Sequence, residues 1–81
     1  MNTKPEAYHP SEYLREELES RGWTAQAFAE ESGLRLAAAE ELIAGTRPWT
    51  RLMSLCVGNA LGTSQQVWNN LHDSWKAGQS E

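Results

Sequence analysis

Residues 24–45 read TAQAFAEESGLRLAAAEELIAG. Thr24 makes a good N-cap, because its hydroxyl accepts a hydrogen bond from an orphan amide of the first turn. Residues 25–32 follow as a short helix, with Phe28 and Ala29 on its inner face. Gly33 ends it, since glycine takes the left-handed C′ conformation without a Cβ clash. A further helix is predicted over residues 35–44, where the run from Ala37 to Leu42 is rich in strong helix formers. Ala39 is an inward position, and Gly45 closes the helix. Two short helices joined through one glycine are the physical form of a helix-turn-helix. In helix-turn-helix proteins that bind DNA, the second helix of the pair lies in the major groove, which would make residues 35–44 the recognition helix.

Upstream, His9-Pro10-Ser11 reads as a helix entry, with proline pre-setting φ for the first turn. Tyr13, Leu14 and Leu18 then recur at helical spacing over residues 11–21, up to Gly22. Downstream, residues 46–49 form a loop, and Thr50 caps a helix over residues 51–61 that Gly62 ends. Thr63 followed by Gln66 has the spacing of a capping box for a last helix. Its stripe Val67, Trp68, Leu71 and Trp75 is assigned mostly to the core. The expected organisation is a flexible leader over residues 1–8, one all-α five-helix domain over 9–76 and a frayed end over 77–81. Neither a repeat nor a strand pattern is visible.

Composition narrows the function classes. A chain of 81 residues is one domain, with an expected stability on the order of 5 kcal/mol. Trp23, Trp49, Trp68 and Trp75 supply large apolar rings for a small core. The net charge of −4 and pI of about 5.1 have the wrong sign for strong non-specific binding to polyphosphate. They suit a basic protein partner. A lone cysteine, Cys56, excludes an internal disulfide framework and a Cys-pair zinc site. His9 and His72 lack ligand spacing, so neither a metal nor a cofactor is expected. No run approaches the ~20 apolar residues of a membrane helix. No apolar signal segment opens the chain, which points to the cytoplasm. No nucleophile stands beside a base. The pairs Glu16-Glu17, Glu30-Glu31 and Glu40-Glu41 are chain neighbours pointing about 100° apart on a helix, so none makes a carboxylate dyad. An enzyme is not expected.

The string from His9 to Leu18, HPSEYLREEL, followed by Arg21-Gly22-Trp23, resembles the opening of HigA-type antitoxins, within the lambda-repressor-like helix-turn-helix family. The likeness continues without gaps through Phe28-Ala29, Gly33, Leu42, Gly45, Arg47-Pro48 and Thr50. It closes on Ala60-Leu61-Gly62-Thr63-Ser64, Trp68, Asn70 and Leu71, so it spans residues 9–76. The resemblance implies a five-helix domain that is often a homodimer and binds operator DNA through its third helix. It also implies silencing of a small, basic, RNA-cleaving toxin. Carried onto this chain, the DNA-facing positions are Thr24, Arg35, Leu36, Ala37, Ala38, Glu40 and Arg47.

At several of these positions the chain departs from the family pattern. Relatives place polar readers at the start of the third helix, where this chain has Leu36, Ala37 and Ala38. None of the three side chains can hydrogen-bond a base edge, although an alanine can touch a thymine methyl. The glutamine that often opens the second helix of relatives is Ala25 here, and their basic residues at its end are Glu30 and Glu31. Across residues 24–50, four glutamates against two arginines leave a local charge of −2. Arg35 and Arg47, with Arg51 just beyond, are the remaining positive groups. Relatives carry charges on the outer face of the fourth helix, where this chain has Leu52 and Cys56. With Leu36 and Trp49 these make a candidate apolar interface, and Trp75 is a candidate for packing across a dimer axis. Two functions are therefore expected. One is a HigA-like antitoxin and repressor. The other is a derived module that kept the fold, lost the operator and binds protein, for instance as an inhibitor in a phage or mobile element.

Overall fold

A computed structural model of the chain describes residues 8–79. Its elements are α1 (Pro10–Arg21), α2 (Ala25–Ser32), α3 (Leu36–Ala44), α4 (Arg51–Leu61) and α5 (Gln65–Gln79), with no strand among the described residues. The five-helix, all-α reading thus stands, with helix ends within two residues of expectation except at the end of α5. The leader lies outside the described residues except Tyr8, whose ring stands edge-on to Tyr13 at 6.1 Å.

Local chemistry sets the helix ends. Thr24 Oγ1 accepts from the Ala27 amide at 3.1 Å, and Thr50 Oγ1 accepts from the Met53 amide at 3.2 Å. His9 caps α1 in place of a hydroxyl residue: its Nδ1 accepts from the Ser11 amide at 3.1 Å. Gly33 sits at φ +80° between α2 and α3 with open space around its Cα. There the left-handed backbone, and not crowding, calls for glycine. At the α4–α5 corner, Gly58 is needed for the opposite reason, since a Cβ would lie 2.9 Å from the Thr63 carbonyl oxygen.

Two expectations at the start of α5 are corrected. The cap is Ser64, whose Oγ accepts from the Val67 amide at 3.2 Å. Thr63 Oγ1 instead accepts from the indole N–H of Trp68 at 2.8 Å, so the Thr63–Gln66 capping box does not form. Val67 faces solvent at 47% exposure instead of joining the core, because the inward side of α5 is centred on the buried Trp68 and Asn69. At its far end α5 runs on to Gln79, past residue 77 where fraying was expected. Lys76 in its last turn complements the helix dipole.

The core is built from Leu14 and Leu18 of α1, Phe28 and Ala29 of α2, Ala39 and Leu42 of α3, Met53, Val57 and Leu61 of α4, and Trp68 of α5. Trp49, from the α3–α4 loop, joins them. Trp49 and Trp68 stack with centroids 5.8 Å apart. Burying a ring of this kind stabilises the fold by roughly 4–6 kcal/mol before entropy is subtracted. Two arginines tie helix ends together: Arg15 donates to the Ile43 carbonyl, and Arg21 donates to the Leu61 carbonyl at 3.0 Å. These bonds hold α1 against the ends of α3 and α4, and so fix α3 relative to the rest.

Candidate nucleic-acid interface

The exposed face of α3 is set by what its other face buries. Ala39 and Leu42 are fully buried, which turns Leu36, Ala37, Glu40, Glu41 and Ala44 outward, with Ala38 half-buried. Leu36 is 40% exposed. The polar groups on this face are two carboxylates, which accept hydrogen bonds and cannot donate them when ionised. A base reader of this kind has one good target, the N4 amino group of cytosine.

The flanking cations differ in availability. Arg35 occupies the N-cap position of α3 without a side-chain cap bond. Its guanidinium is exposed and makes no hydrogen bond or ion pair with any described residue. Arg47 is engaged: its Nε donates to Glu41 Oε1 at 3.1 Å, and Nη2 lies 3.1 Å from the same oxygen. Thr46 Oγ1 donates to the Glu41 carbonyl at 3.3 Å, tightening this corner. Glu41 thus withdraws one cation from the surface where DNA would lie. Thr24 is exposed beside α2, its hydroxyl already used in capping. Arg51, at the first turn of α4, is exposed; its carbonyl accepts from Gln65 Nε2 at 3.2 Å, and its guanidinium makes no hydrogen bond or ion pair with any described residue.

The expected apolar interface is broken up by the fold. Trp49 is 5% exposed, and its indole N–H donates to the buried Ser54 hydroxyl at 2.9 Å. It is a core residue, not a surface one, because the loop folds inward to stack it on Trp68. Leu52 is 59% exposed, and Leu55, which sequence reasoning passed over, is 41% exposed. Cys56 beside them is half-buried. Leu55 lies three residues from Leu52, a spacing that could have flagged it as a neighbour on the same face.

Trp75 is half-buried within its own chain. The His9 ring meets it edge-on at 4.6 Å, and His72 stacks on it at 6.0 Å. A groove of roughly 470 Å³ runs past this cluster, with Arg47 and Lys76 on its walls. Burial lowers the His9 pKa below its ordinary 6.5, with His72 and Arg15 adding to the effect and Glu12 opposing it. A neutral ring keeps the Nδ1 lone pair that caps α1.

The chain matches no protein-family model and no curated protein sequence. Solved structures do match. An antidote protein of a plasmid maintenance system from Nostoc punctiforme is 27% identical, with a TM-score of 0.83 over 96% of this chain and 84% of that one. An addiction-module antidote protein of the HigA family from Coxiella burnetii is 25% identical, with a TM-score of 0.81 over 91% of this chain and 82% of that one. The fold is that of the HigA-type antitoxins. A Pseudomonas aeruginosa protein in complex with its 18-bp operator DNA shares the same HigA-like fold, with a TM-score of 0.84 at 24% identity over 98% of this chain and 82% of that one. Within the HigA-like fold of this chain, α2, Gly33 and α3 are the helix-turn-helix.

Proposed function

We propose that the chain is a HigA-like antitoxin that acts as an operator-binding repressor. The observation that carries this reading is the likeness to two antidote proteins, one of them of the HigA family, over nearly the whole chain, including the α2–α3 pair. In this reading Arg35 and Arg51 hold backbone phosphates, because both guanidinium groups are exposed and unengaged. Glu40 accepts from a cytosine amino group, while Leu36 and Ala37 touch thymine methyls. The operator would then be marked by C and T at the positions facing the start of α3. A basic RNase toxin is the proposed protein partner, in keeping with the chain's −4 charge. The protein is proposed to act in the cytoplasm as a homodimer. No catalytic step is assigned to it.

A second reading is favoured by one observation, the donor-free exposed face of α3. It is a helix-turn-helix that no longer reads an operator and binds protein through Leu52, Leu55 and the adjoining Cys56. Fluorescence anisotropy separates the two. Labelled duplex from upstream of the gene is compared with a scrambled duplex at two salt concentrations. Saturable preference for the native duplex supports the repressor. Equal or absent binding even at low salt sinks it and leaves the protein-binding module.

A further inference from the structure

Beside the start of α4 lies a second, smaller groove of roughly 230 Å³, walled by Thr50, Arg51, Asn69, His72, Asp73 and Lys76. Asn69 is the unusual member. It is only 7% exposed, and its side-chain amide makes no hydrogen bond with any described residue. A buried amide without a partner costs free energy, and native proteins keep few of them. The helix start next to it is also rich in unused donors. Thr50 Oγ1 serves the Met53 amide, and the Thr50 carbonyl accepts from the Ser54 amide at 3.1 Å. The amides of Arg51 and Leu52 are left without an acceptor inside the helix. The Arg51 guanidinium is free as well.

From these groups we infer that the start of α4 and the facing turn of α5 form a phosphate site, held by the Arg51 guanidinium and the Asn69 amide. The ligand chemistry follows from the donor set. Arginine offers a planar fork, asparagine two amide hydrogens and the helix start two backbone N–H groups. All are donors, and they suit an oxyanion with more oxygens than a carboxylate has. The helix dipole favours the same charge. Asp73 is the opposing carboxylate on the wall, against the positive charges of Arg51 and Lys76. The balance is positive on a chain whose net charge is −4. The space equals that of several water molecules, at ~30 Å³ each. Two sources share this chemistry, a free phosphate or phosphomonoester and the backbone of a nucleic acid. The inference extends the proposed role of Arg51 at backbone phosphates, and it does not require α3 to read bases.

The test uses the full chain labelled with ¹⁵N. Its Asn69 side-chain amide and Arg51 Nε signals are followed while inorganic phosphate replaces chloride at constant ionic strength, and in a second arm while a duplex of unrelated sequence is added. Saturable shifts of these signals are expected, with at least tenfold weaker binding in Arg51→Gln and in Asn69→Leu. Leucine should also raise the melting temperature by removing the unpaired amide, so a loss of phosphate affinity in this variant does not come from unfolding. Shifts with both additions or with phosphate alone establish a site open to free phosphate. Shifts with duplex alone establish the polymer backbone as the source. No saturable shift with either, or unchanged affinity in the exposed-site variant Arg51→Gln, overturns the inference.

Discussion

Glu41 controls more of the DNA-facing charge than its side chain alone would. It holds Arg47 in a pair with 3.1 Å contacts. Surface pairs of this kind contribute only ~0–1 kcal/mol to stability, so releasing it costs the fold little. Glu41→Gln is expected to leave the melting temperature nearly unchanged while strengthening duplex binding. The slope of log K against log salt should steepen by about one, because one more cation displaces a counterion. Arg35→Ala should do the reverse, weakening all sequences alike and flattening the slope by about one. Glu40→Ala tests base reading separately. Loss of ~1–3 kcal/mol of preference at a cytosine position is expected, and an unchanged preference in a binding-site selection would remove Glu40 from the readers.

At the scale of elements, the helix-turn-helix depends on its turn and its caps. Gly33→Ala places a Cβ on a backbone at φ +80°, which costs roughly 1–2 kcal/mol. For a domain of this size the midpoint of thermal unfolding should fall by several degrees per kcal/mol. Gly58→Ala fails differently, because the new carbon meets backbone atoms of the α4–α5 corner. If calorimetry found Gly58→Ala as stable as the parent, the close approach at that corner would be refuted. The buried Trp49–Ser54 bond is a third case. Ser54→Ala leaves an indole N–H unsatisfied in the core and should cost ~1–3 kcal/mol by denaturant titration.

For the whole molecule, the meeting of α1 with α5 through His9, His72 and Trp75 makes stability depend on pH. The His9 pKa lies below its ordinary 6.5 in the folded chain. The unfolded chain therefore takes up this proton first as pH falls, so the stabilisation is full above 6.5 and declines below it. Protonation would also remove the lone pair that caps α1 and set a cation against Arg15 and His72. Melting temperatures measured at pH 7.5 and 5.5, a window above most carboxylate titration, should fall toward acid. His9→Ser, which keeps a capping oxygen but cannot titrate, should flatten that fall; an equal slope in the variant would show that other groups cause it.

Helix positions were legible in the sequence because the causes are local. Thr24 and Thr50 cap amides three residues away, and Gly33 adopts a backbone conformation that side chains disfavour. None of these needs knowledge of distant residues. The inward turn of Ala39 and Leu42 follows from helical period, and with it the poverty of hydrogen-bond donors on the outer face of α3. Other properties arose only when remote segments met. Trp49 looks like a surface loop residue until Trp68 and Ser54 come to cover it. Val67 looks like core until the packing of α5 turns Trp68 and Asn69 inward and leaves it outside. Arg47 looks like a free cation until the loop lays it on Glu41. Asn69 carries no mark in the sequence, since an asparagine in a helix reads as solvated. Its burial depends on how α5 crosses the start of α4, a geometry set by the packing of the whole core.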